Sequence, residues 1–531
     1  MPRMAFFFCG RVQNLNETQE NERKVAMKSS LLFKVLIVIL ILLAVLAVIP
    51  FVKKEYTLLK GGETGINSLQ KGTPPLATPS PILLRAASVT VHGTQWGRST
   101  CSIGATEGSS RFNISDLQDL GINSYLVYGG TSRWEAQDDD GTYGSPTIDQ
   151  IKANPNIINW AWWDKIMTHP PKGSDYWWDP NLPRWQGNAR TLFSTLKAAH
   201  IQTIVVLRNR DDQQNPKWLP EPLTTAADWN EWWEHVFATV YWLNVQNNYA
   251  VNDFEIHNEP NARGQGWTPL ATEAQYFTFA QYTYDAIAYV YRTYLPGRTF
   301  HVYAPATSGG SWPNDALQNI PHYFDSMAVH YYGNSLSSYV EEVHSWLNKT
   351  GHPSYPLWFT EWGSYKNQYN SVPFGITLIN DLIYGSRPGN DYVYGSTIFS
   401  LYDFDTTPLG LISYNGVRRA DYYAMRMGIR ALQGCRPTYQ SITSNRNVVA
   451  ITTTDSENNV YLLVTNQDST ASYKIDANLS SLISKGTGTM WQFDAGHLDT
   501  VVGRPLLRNG HESFTVPTDG AILIKLSRSW P

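Results

Sequence analysis

Residues 253–261 read DFEIHNEPN, and residues 356–363 read PLWFTEWG. Each is a short apolar run that stops on a glutamate, Glu259 in the first and Glu361 in the second. A run of that length, bounded by turn residues, is the signature of a buried strand. Six further runs of the same kind surround them: Ser88–His92, Ser124–Tyr128, Thr203–Leu207, Thr299–Ala304, Ser326–Tyr331 and Ser396–Leu401. Helical stretches fall between, the longest being Ala227–Asn248 and Thr272–Tyr294, with apolar residues at spacings of three and four. Strands that alternate with helices predict a parallel sheet, and eight such units predict a closed (β/α)8 TIM barrel.

Composition agrees with a large folded body. The chain has 531 residues, 42% apolar and 13% aromatic, which is enough to fill more than one core. A net charge of −4 provides no basic stripe, so nucleic acid is not an expected partner. The three cysteines form no C-x-x-C pair, and at most one disulfide, Cys101 to Cys435, can follow the N-terminal segment. No cofactor and no metal site is expected. Asp138-Asp139-Asp140 beside Gly141 reads as a solvated turn, and Glu234-His235 lacks the second histidine of a zinc protease helix.

The expected organisation has five parts. Residues 1–30 form a cytoplasmic tail and 31–52 one transmembrane helix, because Val35–Val52 is an uncharged apolar run long enough to cross a bilayer. Arg23, Lys24, Lys28 and Lys34 before it, against Lys53, Lys54 and Lys60 after it, leave the N-terminus inside. The other reading is a signal peptide starting at Met27, cleaved to release a secreted enzyme; no A-x-A pattern follows the run. Residues 53–85 are a Gly/Pro/Ser/Thr-rich linker, 86–434 the barrel, and 435–531 a β-sandwich of short strands such as Val448–Thr452, Val460–Thr465 and Ala521–Leu526. Gly129–Gly187 is an insertion after the second strand. It carries seven of the 20 tryptophans, including Trp134, Trp162, Trp163, Trp177 and Trp178, and is expected to wall a substrate.

Both glutamates end their strands, so both fall on the C-terminal rim, where barrel enzymes place their chemistry. Two facing carboxyls are what glycoside hydrolysis needs: one protonated to assist the leaving oxygen, one ionised to attack the anomeric carbon. The strings FEIHNEPN and FTEWG resemble the retaining clan A glycoside hydrolases, most of all family 39, with families 5, 44 and 51 as neighbours. The resemblance implies Glu259 as acid/base and Glu361 as nucleophile. It also implies Asn258 as a ligand of the sugar 2-hydroxyl, and His330-Tyr331-Tyr332 as an element whose Tyr332 hydroxyl touches Glu361. Relatives carry Trp at the end of strand eight, where Leu401-Tyr402-Asp403 stands here, so Tyr402 is the aromatic candidate. Some relatives also carry Arg on strand two; Arg208, after strand three, is the expected substitute. Trp96, Trp267, Trp312 and Trp362 follow strands one, four, five and seven and are candidates for stacking sugars. Glu255, on the same strand as Glu259, is expected in the barrel interior, and the strand end must bend if Asn258 and Glu259 are both to enter the site.

The expected function is hydrolysis of β-linked glycans through a covalent glycosyl-enzyme. A transglycosylase using the same residues, or a catalytically silent, membrane-anchored glycan-binding protein, are the other readings. The partners expected are an oligo- or polysaccharide and the lipid bilayer. Full-length protein should fractionate with membranes; a mature N-terminus just after Val52, with activity free in the medium, would overturn the anchor.

Overall fold

The computed structural model describes residues 83–108, 112–135, 138–169, 188–209, 218–262, 272–333, 336–363, 369–389, 391–403 and 408–528. The expected tail, transmembrane helix and nearly all of the linker lie outside the described residues, as do Trp177, Trp178 and Trp267. Among the described residues no helix is long and apolar enough to cross a membrane.

Eight parallel strands close into a barrel. In chain order they are Ser102–Thr106, Ser124–Tyr128, Gln202–Leu207, Asp253–Ile256, His301–Ser308, Ser326–Tyr331, Leu357–Gly363 and Val393–Phe399, and the eighth pairs with the first. Their residues are buried on both faces because helices cover the outside. Leu126, Tyr128, Ile204, Val206, Tyr303, Ala328 and Trp358 fill the interior, while their neighbours Val127, Val205 and Leu207 face the helices. The long helix Glu273–Tyr294 starts where Thr272 and Gln275 form a reciprocal capping box.

Seven of the eight expected barrel strands stand in the barrel; the first does not. Ser88–His92 belongs to a longer strand, Leu83–Arg98, which runs antiparallel to Pro437–Thr443 and parallel to Ala471–Asn478 in the β domain. The barrel begins instead at Ser102–Thr106, whose sequence SIGAT is too poor in bulky residues to signal a strand. Packing explains that poverty: a Cβ at Gly104 would collide with Ser124 of the adjacent strand.

The β domain therefore takes strands from both sides of the barrel. It is one curled eleven-stranded sheet, where the sequence predicts a sandwich of residues 435–531 alone. Alternation decides what each face does. Val460, Leu462, Val464, Ile522, Ile524 and Leu526 pack with Val89 and Val91 into the sheet's own core. Tyr461, Leu463, Ala521 and Leu523 face the other way and join the core of the barrel. Asp499, fully buried, accepts from Arg426 and Arg430 of the last barrel helix, Ala420–Leu432, at 2.6 Å each.

Cys101, just before the first barrel strand, is bonded to Cys435, just after the last helix. The bond joins the start of the barrel's chain to its finish across 334 residues, so it removes considerable freedom from the unfolded chain. Cys435→Ser, or added reductant, should lower stability by about 2–5 kcal/mol, read as a lower Tm. An identical Tm with and without reductant would contradict this role.

Candidate active site

The fourth barrel strand ends in a sharp bend. His257 and Glu259 both hold positive φ, +66° and +46°, a conformation that costs non-glycine residues on the order of 1–3 kcal/mol each. Backbone hydrogen bonds hold the turn: His257 N–H donates to Leu207 O and Glu259 N–H to Ala306 O, each at 2.9 Å. The bend lets the adjacent Asn258 and Glu259 serve one site, which simple strand alternation forbids. His257 turns away and lies 3.5 Å from buried Glu221. Glu255 stays in the barrel interior, fully buried, as expected.

Over the rim, Glu259 meets Glu361 and His330. One oxygen of each glutamate and one ring nitrogen of His330 all lie within 4.8 Å of one another. His330 Nδ1 stands 3.1 Å from Glu259 Oε1 and 3.4 Å from Glu361 Oε2. On its other side, His330 Nε2 is 4.0 Å from Glu255 Oε1. Tyr332 donates to Glu361 Oε2 at 2.6 Å, and Tyr128 donates to Glu361 Oε1. Asn258 is buried, and its Oδ1 has no hydrogen-bond partner among the described residues.

Burial sets the electrostatics, and charge then corrects it. Burial alone would push the His330 imidazole down, but Glu361, Glu259 and Glu255 outweigh it and raise the group to about 9. At neutral pH His330 is therefore an imidazolium. Burial raises Glu361; the His330 charge and the Tyr128 and Tyr332 hydroxyls act against that rise, while Glu259 adds to it. Burial raises Glu255 to about 8, with His330 opposing.

A supporting layer lies beneath Glu361. Glu107, at the end of the first strand, pairs with Arg133 at 2.7 Å, and both are buried. Glu107 also accepts from the Tyr128 backbone N–H at 2.7 Å, while Arg133 donates to the Tyr128 carbonyl. Arg208 stacks its guanidinium 4.9 Å over the Tyr128 ring. The Tyr128 phenol thus donates to Glu361, and Arg208 lies over the ring that carries it. Sequence reasoning missed Tyr128, Glu107 and Arg133. Tyr128 was visible as the last residue of the second strand, the same kind of position that singled out Glu361.

The aromatic candidates take different places. Trp362 is 2% exposed and packs among the helices, since its neighbour Glu361 takes the inward face. Tyr402 is fully buried, and its hydroxyl holds Asn113 and Asp116 at the start of helix Ile114–Leu120. The aromatic that ends strand eight is Phe399, whose ring meets Tyr332 edge-on at 6.1 Å. Trp96 lies in the β-domain strand that precedes the first barrel strand, at the opposite end of the barrel. Trp312 leans on Tyr276. In the insertion, Trp134 and Trp163 are fully buried and Trp160 stacks on Tyr241, so the described part is a packed core and not a sugar wall. The Asp138–Asp140 turn is likewise not simply solvated, because Asp139 is buried.

Residues 257–383 match the family model described as "Glycosyl hydrolase catalytic core". No curated protein matches the chain. Among solved structures, it is similar to a family 30 endoxylanase from Clostridium papyrosolvens, with 13% identity and a TM-score of 0.58 over 83% of this chain and 100% of that one. A family 39 enzyme from Xanthomonas axonopodis pv. citri gives 14% identity and a TM-score of 0.58 over 86% and 100%. A family 44 xyloglucanase from Paenibacillus polymyxa gives 12% and 0.57 over 83% and 100%. At these identities the structural likeness speaks for the fold, and the catalytic-core match adds the activity. The chain is a glycosidase: it carries a glycosyl hydrolase catalytic core in a fold that it shares with glycoside hydrolases of families 30, 39 and 44.

Proposed function

We propose that this chain cleaves β-linked glycans by double displacement, with Glu361 as nucleophile and Glu259 as acid/base. The observation that carries the proposal is the approach of the two carboxyls to within 4.8 Å, oxygen to oxygen. Retaining glycosidases hold their carboxyl groups about 5–5.5 Å apart, whereas inverting ones need room for a water. The surroundings divide the roles. Glu361 has two phenol donors, which oppose the rise that burial gives it and favour the ionised nucleophile, while His330 stands beside both glutamates.

In the first step Glu361 attacks the anomeric carbon and Glu259 passes its proton to the departing glycosidic oxygen. In the second, Glu259 takes a proton from water, which displaces Glu361 and frees the sugar. Asn258, next to Glu259, has a buried amide oxygen without a hydrogen-bond partner among the described residues, which could accept from a sugar hydroxyl. That so many groups converge on the two carboxyls argues against a silent scaffold. Its structural neighbours include an endoxylanase, a xyloglucanase and a β-xylosidase from Caulobacter crescentus, so xylose-containing β-glycans are the first substrates to try. We further propose that the catalytic part works outside the cytoplasm, held by residues 31–52. The Cys101–Cys435 bond supports this, since disulfides persist in oxidising compartments.

Glu361→Ala should abolish turnover of an activated aryl β-glycoside, and azide should restore it with an α-glycosyl azide as product. Glu259→Ala should slow substrates with poor leaving groups by about 10²–10⁴-fold and activated ones far less. A Glu361→Ala variant with near-normal rates would overturn the nucleophile. The phenols give a separate test. Removing a donor that stabilises the Glu361 carboxylate raises its pKa, so ionisation needs a higher pH. Tyr128→Phe and Tyr332→Phe should each move the acidic limb of the kcat/KM profile upward; limbs that stay in place would contradict the role of these hydroxyls.

A further inference from the structure

Tyr128 reaches Glu361 from the last position of the second barrel strand, and side chains hold its backbone on both sides. Its N–H donates to Glu107 Oε1 at 2.7 Å, and its carbonyl accepts from Arg133 Nη1. Arg133 Nη1 also donates to Glu107 Oε1 at 2.7 Å, which closes the three groups into a ring. The ring stands where the ladder between strands one and two runs out. Glu107 N–H still donates to Leu126 O at 2.9 Å; two residues on, the Glu107 side chain takes the Tyr128 N–H.

The pair is deep: the Arg133 side chain is 0% exposed and that of Glu107 is 2% exposed. An ion pair so far from water adds little to stability, because desolvation consumes most of its attraction. What it does supply is geometry. A guanidinium is planar and its donors have fixed directions. Both bonds leave the same Arg133 nitrogen, so the Tyr128 carbonyl and the Glu107 carboxylate cannot move independently. Arg208 restrains the ring itself, with its guanidinium 4.9 Å over the phenol.

Arg133 comes from the insertion, on the short helix Thr131–Trp134. Gly130, at φ +95°, makes the turn into that helix; a Cβ there would collide with the Arg208 carbonyl of strand three. Arg133 N–H then donates to Gly130 O at 3.1 Å. The next residue, Trp134, is fully buried against Phe193, so the insertion's own core fixes the backbone from which Arg133 reaches back.

We propose that Arg133 and Glu107 are positioning residues, a buried clamp by which the insertion sets the Tyr128 backbone so that its phenol meets Glu361 Oε1. The inference rests on the reading of Glu361 as nucleophile. The phenol needs such a clamp because a hydrogen bond to a carboxylate is lost when the donor moves by about 1 Å. The insertion thereby acts on the reaction from behind the nucleophile, through Tyr128.

In full-length protein in mild detergent, Arg133→Met should move the acidic limb of the kcat/KM profile upward by about one pH unit, as loss of the phenol would, with KM on the plateau close to wild type. In a Tyr128→Phe background it should move the limb no further, because both changes act through one hydrogen bond. Arg133→Lys, which keeps the pair with Glu107, should recover part of the shift. If loss of one charge prevents folding, Glu107→Leu/Arg133→Met removes both and the same profile is measured. A crystal structure of the folded variant should place the Tyr128 hydroxyl more than about 3.5 Å from Glu361 Oε1. A hydroxyl still in place, an unmoved limb, or a limb that shifts equally with and without the phenol would overturn the proposal. An error in the nucleophile shows differently: Glu361→Ala keeps its rate, and the crystal structure alone then decides the positioning.

Discussion

The His330 imidazole stands between two buried carboxylates, 3.1 Å from one and 3.4 Å from the other, with a third below at 4.0 Å. In a dry interior a carboxyl group ionises only where something positive sits beside it, and Glu361 is the one that the proposed chemistry needs ionised. His330 supplies that charge, and the rest of the site can be understood as the means of keeping it there. Strand six delivers His330, strand seven delivers Glu361, and the strained end of strand four swings Glu259 and Asn258 over the rim. Tyr128 and Tyr332 add the hydrogen bonds that favour the ionised Glu361. The backbone strain at His257 and Glu259 is tolerated because the neighbouring strands hold both N–H groups.

Chemistry and stability divide between the two ends of the barrel. The C-terminal rim carries unsatisfied groups, positive φ angles and buried charge, all of which cost stability. The other end carries the fastenings: the Cys101–Cys435 bond and the sheet strand Leu83–Arg98 that leads into the barrel. The β domain grips the last helix through Arg426, Arg430 and Asp499. A sheet that takes strands from both sides of the barrel clasps it and links the fate of the two domains.

Much of this was legible in the sequence, for reasons that are local. Strands buried on both faces read as apolar runs, and a glutamate that ends such a run stands out. The same rule hid the first strand, because SIGAT must be small to let Ser124 approach. It also misplaced SVTVH, since an apolar strand looks the same in a barrel and in a flanking sheet. The tryptophans failed as guides because burial depends on direction: Trp362 faces the helices as a consequence of Glu361 facing in, and Trp134 and Trp163 fill a core that only the folded insertion creates. Tyr128 was overlooked because a charged donor was sought near Glu361 and a neutral phenol does the work. The bend at residues 257–259 was inferred from two adjacent residues needing one site, yet its left-handed backbone carries no glycine to announce it.

The central claim is that Glu361 attacks the sugar directly, with no water between the two carboxyls. The anomeric configuration of the first product tests it. Proton NMR taken in the first minutes on an aryl β-glycoside that the enzyme turns over, before mutarotation, should show the β-anomer appearing first. The α-anomer appearing first would mean that water attacks in a single displacement, and Glu361 would then be a base and not a nucleophile.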